Sequence, residues 1–426
     1  MRNGSFGHGG LNAHMVLVVC TLLFMINYMD RQVLSVVMEP MKLDLGLTDS
    51  QAGAIQTVFL MSMAVITIPA SYLVDRWSRR KTIGLMAIWW SIFTFVTGLG
   101  RSFWGVLLPR TMVGVGETGF SAGGIAWIGS SYPIEKRSRV MGIFYLAIPL
   151  GSALGVILGG YISVHFGGWR TPFLWFALPG VALGVIAFFL KDYKTVQEVD
   201  DTGRRLGFAR SAGALFRIPS LVYLYFGVSL VNLTTFSILT WLPAYLMRAR
   251  GIAEDKAGLS VGIIALMALV GAPLGGYLGD VWMRRNPRGR MYLPGTAALT
   301  ATLVLVPALF LEIQGLGYIL ALIWGVSAVL VLPPLASASQ DVVSPGLKGT
   351  SIGVYNLFVF LLGGGWAPWL VGKISDLLGG GAQGLQIALI ICSVGGLIGG
   401  VLFLLGARYY PADVERVQHL ELELEK

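Results

Sequence analysis

The stretch SYLVDRWSRR, at residues 71–80, occurs a second time as GYLGDVWMRR at residues 276–285, with six of the ten positions identical. The same offset of 205 residues aligns Ala52 and Gly53 with Ala257 and Gly258. The match therefore covers an apolar segment and the charged loop that follows it. A repeat in the same direction predicts two similar halves, which in a membrane protein are related by an axis along the membrane normal.

The composition around this repeat is that of an integral membrane protein. The chain has 426 residues, of which 55% are hydrophobic and 12% are charged, and its mean hydropathy is +0.72. A helix that crosses a bilayer needs roughly 20 apolar residues. Apolar runs predict twelve crossings, at residues 14–38, 51–74, 82–100, 103–129, 139–164, 171–190, 219–247, 257–279, 291–312, 316–339, 349–371 and 383–406. The predicted fold is all-α, with two six-helix bundles related by a pseudo-two-fold axis.

The one long polar segment, 191–218, lies between the two sets of crossings. We therefore predict a first bundle at residues 1–190, a cytoplasmic linker at 191–218, a second bundle at 219–410 and a cytoplasmic tail at 411–426. With the N-terminus inside, the cytoplasmic segments contain 22 Lys and Arg residues and the outer loops contain seven. This asymmetry predicts a cell-membrane protein with both termini in the cytoplasm. The net charge of +9 is then explained by loops that face anionic lipid, so no nucleic-acid partner is expected.

Several classes of function lack their characteristic residues. Cys20 and Cys392 lie in apolar runs and the four histidines are scattered, so neither a disulfide nor a metal site is predicted. The phosphate-binding pattern G-x-x-x-x-G-K-[ST] is absent, which argues against an ATP-driven pump. An enzyme acting on lipid would need a nucleophile with a base, and a receptor or scaffold would need large loops. We expect neither enzymatic activity nor a cofactor.

Four ionisable side chains fall well within the crossings: Asp30 and Arg31 in the first, and Arg110 and Glu117 in the fourth. An ionisable group at mid-membrane costs about 2.5 kcal/mol or more, so it usually faces a cavity and has a partner. Arg110 and Glu117 share a helix face but lie roughly 10.5 Å apart along the axis. We predict that Arg31 pairs with Glu117, with Asp30 as a like-charged neighbour, and that the four form a proton-coupling site. A static ion pair that fixes helix packing is the alternative.

The second half carries aromatic and amide groups in place of charges. Such groups suit a ligand with apolar and hydroxylated parts. We predict a substrate site formed by Asn27, Tyr28, Arg110, Trp241, Tyr245, Tyr355 and Asn356. For Trp241 and Tyr245, an interfacial aromatic belt is the alternative, because both lie near the outer end of their crossing.

The repeated loops resemble the signature of the major facilitator superfamily, Gly-x-Leu-Ala-Asp-Arg-x-Gly-Arg-Arg. The first copy matches it at Leu73, Asp75, Arg76, Arg79 and Arg80, and the second at Gly276, Leu278, Asp280, Arg284 and Arg285. A carboxylate at the cytoplasmic end of a helix is disfavoured by the helix dipole unless it caps a neighbour or pairs with Arg. We predict a conformational latch at Asp75, Arg76, Arg79, Arg80, Asp280 and Arg284, and a solvated charged turn is the alternative.

Three stretches resemble the spinster-type branch of that superfamily: INYMDR at 26–31, RTMVGVGE at 110–117 and RSRVMGIFYLAIPLGSALG at 137–155. The resemblance implies proton-linked movement of amphipathic lipids such as lysophospholipids or sphingosine phosphates. It also implies matching functional positions at Asp30, Arg110 and Glu117. That family usually has Ala-Ser after the acid, whereas this chain has Thr118 and Gly119. The expected mechanism is alternating access by a monomer in contact with membrane lipids, driven by a proton gradient.

A second resemblance is to the anion:cation symporters that import sugar acids and other organic anions. It rests on INYMDR, on GWR at 168–170 and on WLPAYL at 241–246. A buried arginine such as Arg110 would suit a carboxylate or a phosphate equally, because its fork of donors matches both. A proton-linked symporter of small organic anions is therefore the alternative prediction, and the direction of transport stays open.

Overall fold

The computed structural model describes residues 11–76, 78–192, 213–311, 315–344 and 347–424, and nearly all of these residues are helical. The first half contains α1 (Leu11–Leu45), α2 (Asp49–Arg76), α3 (Arg79–Gly98), α4 (Phe103–Glu117), α5 (Phe120–Ser131), α6 (Ile134–Tyr145), α7 (Ala147–His165) and α8 (Thr171–Phe189). The second half contains α9 (Pro219–Arg250), α10 (Glu254–Leu266), α11 (Ala268–Arg285), α12 (Gly289–Phe310), α13 (Leu316–Leu330), α14 (Leu332–Asp341), α15 (Lys348–Leu357), a π-helical segment (Phe358–Gly364), α16 (Ala367–Leu377), α17 (Gly381–Gly406) and α18 (Tyr410–Leu424).

All twelve predicted crossings are helical. Among the residues that the structure describes, ten helical stretches are long and apolar enough to cross a membrane. The other two predicted crossings are the third, α3, and the fourth, α4 with α5. The first of these begins with Arg79, Arg80 and Lys81, and the second is divided into two short helices, so neither is one long uncharged helix. Both nevertheless pack inside the first half, where α3 lies against α4 and α8.

The chain forms two compact units. One consists of Met1–Val199 with Gly251–Gly262, and the other of Asp200–Arg250 with Ile263–Lys426. The beginning of the eighth crossing therefore groups with the first unit. Most of the predicted linker, residues 193–212, lies outside the described residues. The domain bounds proposed from the sequence stay a prediction.

Glycines on α7 allow it to lie directly against α1. A Cβ atom at Gly151 would be 2.3 Å from the carbonyl oxygen of Met25, and one at Gly155 would be 2.6 Å from that of Met29. No side chain fits at these distances, so the two glycines set the separation of the two backbones. Close backbone approach at small residues is the usual way in which helices associate in lipid. The contact fixes the part of α1 that carries Asp30.

Two crossings are interrupted where the apolar pattern had predicted continuous helices. The fourth crossing, predicted at 103–129, breaks after Glu117, because Thr118 is extended and Gly119 has a φ of 87°. That left-handed conformation favours glycine. The eleventh crossing, predicted at 349–371, contains the π-helical segment Phe358–Gly364. Neither interruption changes the apolar character of the run, which is why hydropathy alone did not show it.

The C-terminal helix α18 docks on the second unit. Asp413 Oδ2 accepts a hydrogen bond of 3.0 Å from the backbone N–H of Ser220, at the start of α9. An acidic side chain at this position satisfies one of the free N–H groups of the helix N-terminus and complements its dipole. Tyr410 is 1% exposed and Val417 is buried, so one face of α18 is covered.

Candidate functional site

Asp30, Arg31, Arg110 and Glu117 lie together inside the first unit, on α1 and α4. Asp30 and Arg110 are fully buried, Glu117 is 2% exposed, and the side chain of Arg31 is 14% exposed. Arg31 Nε donates a hydrogen bond of 2.8 Å to Glu117 Oε2. The ion pair that the sequence predicted is therefore present. The cluster thus contains two acidic and two basic side chains.

Arg110 is held by a backbone oxygen and by aromatic rings. Its Nη2 donates to the backbone carbonyl of Asp30 at 3.0 Å. Its guanidinium carbon lies 4.7 Å from the ring centre of Phe59 and 5.9 Å from that of Phe173. Ring faces attract a cation, most strongly where water is excluded. These contacts position the guanidinium without using all of its donors.

Several polar atoms of the cluster have no hydrogen-bond partner among the described residues: Asp30 Oδ1, Glu117 Oε1, Arg110 Nε and Nη1, and both amide atoms of Asn27. Asn27 is fully buried and lies next to Glu117, outside normal hydrogen-bond geometry. Buried polar atoms are nearly always bonded to protein, water or ligand. This group of unpartnered donors and acceptors is therefore the candidate functional site in the described part of the first unit.

The break in the fourth crossing lies immediately beside this cluster. Glu117 is the last residue of α4, and Thr118 Oγ1 donates to the Gly114 carbonyl at 2.6 Å. Gly119 then turns the chain into α5. Irregular backbone at membrane depth is tolerated where it is buried in protein or lines a polar cavity. The break is formed by Thr118 and Gly119, the two residues after the acid that differ from the Ala-Ser expected from the spinster-type resemblance.

The family model described as Major Facilitator Superfamily matches residues 20–368 of this chain. The chain belongs to the major facilitator superfamily. It is similar to the human Protein spinster homolog 1, with 29% identity over 451 residues that cover 96% of this chain and 83% of the relative. It is also similar to the sphingosine-1-phosphate transporter SPNS2 of Xenopus tropicalis, with 27% identity over 429 residues, or 93% of this chain and 82% of the relative.

A solved structure shares the fold over nearly the whole length. It is the crystal structure of a bacterial homolog of the human lysosomal transporter Spinster, in an inward-facing and unoccupied conformation. It matches with a TM-score of 0.84 and 24% identity, covering 95% of this chain and 99% of that chain. The predicted all-α fold of two six-helix bundles is confirmed. This major facilitator protein is a multi-pass membrane transporter of a small-molecule substrate, and it is not an enzyme.

Other side chains of this transporter that the sequence analysis did not select complete the charge cluster. Thr94 on α3 donates from Oγ1 to Asp30 Oδ2 at 3.1 Å. Gln56 on α2 donates from Nε2 to the Arg31 carbonyl at 3.5 Å. The ring of Tyr28, which was selected, lies 4.7 Å from the Arg31 guanidinium carbon. A polar residue in the middle of an apolar crossing is the signal that could have found Thr94, but Thr97 gives the same signal.

The aromatic residues predicted in the second unit have packing roles. Trp241 is fully buried, and its Nε1 donates to the Pro368 carbonyl at 2.9 Å. Tyr245 is 2% exposed, and its hydroxyl donates to the Leu309 carbonyl. Neither ring is exposed as a residue of an interfacial belt would be. Tyr355 is half-buried and Asn356 is exposed. Substrate binding by these four residues stays a prediction.

The two copies of the superfamily signature are described to different extents. The side chains of Asp75 and Arg76 lie outside the described part of the structure. Arg79 is buried, and Arg80 Nη1 lies 3.5 Å from the carbonyl oxygens of Phe188 and Leu190. Arg80 therefore ties the start of α3 to the end of α8.

In the second copy, the predicted latch residue Arg284 is exposed, and Asp280 pairs instead with Arg290 at 2.9 Å. The sequence analysis did not select Arg290. It lies at the start of α12, which folds back beside α11 and brings this base to the acid. A search confined to the signature itself could not find a partner from the next helix.

The same arginine extends the pair into a network. Arg290 Nη1 donates to Asp341 Oδ2 at 2.6 Å, and the Tyr410 hydroxyl donates to that oxygen at 2.5 Å. Four side chains thus join α11, α12, α14 and α18. Burial raises the pKa of the Tyr410 hydroxyl, which therefore stays a proton donor at physiological pH.

Proposed function

We propose that this major facilitator protein is a proton-coupled transporter that moves an amphipathic, lipid-like anion by alternating access. It would act as a monomer in the cell membrane, with both termini in the cytoplasm. The observation that carries the proposal is the buried cluster on α1 and α4. Among the described residues, one carboxyl oxygen each of Asp30 and Glu117 and two donors of Arg110 have no hydrogen-bond partner.

Proton binding and anion binding at such a cluster are linked through its charge. With all four side chains ionised the cluster is neutral, and a proton on Asp30 Oδ1 or Glu117 Oε1 gives it a charge of one. An excess positive charge beside Arg110 favours an anionic ligand, and by thermodynamic reciprocity the bound anion favours the proton. This linkage is what a transporter needs in order to couple the two movements.

The proton gradient supplies enough free energy for this coupling. One charge moving through 100 mV contributes about 2.3 kcal/mol, and each pH unit adds about 1.4 kcal/mol. One proton can therefore drive roughly several-hundred-fold accumulation of a neutral solute, whereas a monovalent anion that crosses with one proton moves no net charge and gains only the pH contribution, about tenfold per pH unit.

Two observations support a lipid-like substrate. The relative from Xenopus tropicalis is a sphingosine-1-phosphate transporter, whose substrate joins a phosphate to an apolar chain. In this chain Arg110 offers two donors that have no partner among the described residues, and the rings of Phe59 and Phe173 lie beside it. On α1 the ring of Tyr28, which contacts Phe24, lies over the guanidinium of Arg31. A sugar acid would use the same guanidinium but would leave the rings without an apolar partner.

The test is uptake into proteoliposomes under an imposed inward proton gradient. A fluorescent lysophospholipid and a labelled sugar acid are compared in the wild type, in Glu117→Gln, in Asp30→Asn and in the control Glu415→Gln, which changes an exposed acid on α18. We expect gradient-dependent movement of the lipid in the wild type and the control, and its loss in both cluster variants. Movement of the sugar acid alone would favour the organic-anion symporter. Lipid movement that is indifferent to the gradient would exclude proton coupling.

A further inference from the structure

We propose that Thr94 is a positioning residue for Asp30: its hydroxyl occupies Oδ2 and leaves Oδ1 as the oxygen that receives the proton. The inference rests on the proposed function, because it assigns a proton to this carboxyl. Thr94 lies on α3, whereas the four ionisable residues lie on α1 and α4. The third crossing would thus contribute to proton binding although it carries no ionisable residue of the cluster.

The geometry separates the two oxygens of the Asp30 carboxylate. Thr94 Oγ1 donates to Oδ2 at 3.1 Å, both side chains are fully buried, and Oδ1 has no partner among the residues that the structure describes. The ionisable groups close enough to act on Asp30 are Glu117 and Arg110, both on α4. On α1 itself, Arg31 is occupied by Glu117.

Five other helices pack on α1, namely α2, α5, α6, α7 and α8, and among the described residues none of their ionisable groups acts on Asp30. The α8 segment Thr171–Phe189 contains no ionisable residue, and α7 presents Gly151 and Gly155 to this part of α1. The environment of the carboxyl is therefore defined by one arginine, one acid and one hydroxyl. Of these three, the hydroxyl is the group that can be removed without changing the net charge of the cluster.

The hydrogen bond of Thr94 is unusual for its helix. Thr82 and Thr97 on α3 both donate to the carbonyl four residues earlier, those of Ser78 and Phe93, at 2.8 Å. This local bond is the common choice of a threonine inside a helix. Thr94 instead donates across to α1. Because a hydroxyl can donate and accept, it can hold Oδ2 in either protonation state of Asp30.

Removing the hydroxyl should move the titration of Asp30 in one direction. The donated hydrogen bond stabilises the ionised carboxylate more than the neutral acid. Thr94→Val keeps the shape of the side chain and loses the donor. Asp30 should then take its proton at a proton concentration about tenfold lower, so its titration midpoint should rise by about one pH unit. Thr94→Ser restores the hydroxyl and should restore the titration. Thr97→Val is the matched control, because it removes a buried hydroxyl from the same helix that does not touch Asp30.

The titration can be read directly in reconstituted protein by infrared difference spectroscopy. The band of the protonated carboxyl is assigned by its loss in Asp30→Asn and followed against pH in the wild type, Thr94→Val, Thr94→Ala, Thr94→Ser and Thr97→Val. We expect a rise of about one pH unit in the midpoint for valine and alanine at position 94, and wild-type midpoints for the other two. The alanine variant gives the same readout if valine does not fold. Equal midpoints in Thr94→Val and Thr97→Val, or no Asp30 band at any pH, would overturn the inference.

Transport by the same samples distinguishes this inference from the proposed function. If the infrared midpoint shifts as expected while wild-type transport ignores the proton gradient, the role of Thr94 stands and proton coupling fails. If transport is gradient-dependent while the Asp30 midpoint is the same in all variants, proton coupling stands and the role of Thr94 fails.

Discussion

Arg31 Nε lies 2.8 Å from Glu117 Oε2, and this ion pair joins the middle of α1 to the last residue of α4. The fourth crossing breaks at the next two residues. This contact thus joins α1 to the end of α4, directly before the break. Whether Glu117 serves as a proton site or as a structural anchor can be decided by experiment.

Glu117→Gln should abolish the pH dependence of transport while leaving the fold intact. Glutamine keeps the length of the side chain and can still accept a hydrogen bond from Arg31, but it cannot take a proton. We expect gradient-driven uptake to fall at least tenfold, and exchange of labelled for unlabelled substrate to continue, because exchange does not require proton release. Both rates are measured in the same proteoliposomes. A variant whose uptake keeps the wild-type pH profile would make Glu117 a structural residue.

Arg110→Lys should weaken substrate binding although the charge is kept. A lysine cannot offer the fork of donors that now lies free, and a loss of about 1.4 kcal/mol corresponds to tenfold in the dissociation constant. Binding of a fluorescent lysophospholipid to purified protein measures the change. Arg416→Lys is the control, since Arg416 is an exposed base on α18. Equal affinities in the two variants would remove Arg110 from the binding site.

Gly119→Ala should destabilise the protein through the break in the fourth crossing. A left-handed conformation costs a residue with a side chain about 1 to 2 kcal/mol, and the new Cβ would lie 3.1 Å from that of Ala70. We expect a lower melting temperature in detergent and slower transport. Gly142→Ala provides the comparison, because Gly142 is in a helix with nothing within 4 Å of the new Cβ. That change should be neutral or slightly stabilising. Equal melting temperatures of the two variants would show that the left-handed conformation of Gly119 does not contribute to stability.

Tyr410→Phe should loosen the C-terminal helix. The variant loses the hydrogen bond to Asp341 Oδ2 but keeps the buried ring, so the expected cost is about 1 to 2 kcal/mol at this end of the second unit. Limited proteolysis measures how readily α18 is cleaved. Tyr409→Phe is the control, because Tyr409 is 44% exposed. If both variants are cleaved at the wild-type rate, the network does not hold the helix.

The sequence was sufficient for the fold and for the charged part of the candidate site. Twelve apolar runs and a repeat at 205 residues lead to two six-helix bundles, since length and hydropathy decide what can cross a bilayer. The pairing of Arg31 with Glu117 was predictable because charges inside a membrane are few and need partners.

Other features depend on which helices become neighbours, and hydropathy does not carry that information. Thr94 and Thr97 have the same residue type and the same burial, and only the hydrogen bond of Thr94 to Asp30 distinguishes them. Arg290 was missed for the same reason, because its partners come from α11 and α14. The break at Gly119 is a backbone conformation that glycine permits and does not require.

The charge cluster lies wholly in the first unit and contains as many acids as bases. With all four side chains ionised, an empty carrier of this kind would change orientation without moving net charge, so its return step would not respond to the membrane potential. Only the loaded form could respond, and only if the charge of the anion does not cancel the charge of the proton. Uptake rates would therefore be measured at two imposed voltages, first with saturating substrate and then at exchange equilibrium. The ratio of the two rates would report the valence of the transported anion before its chemical identity is known.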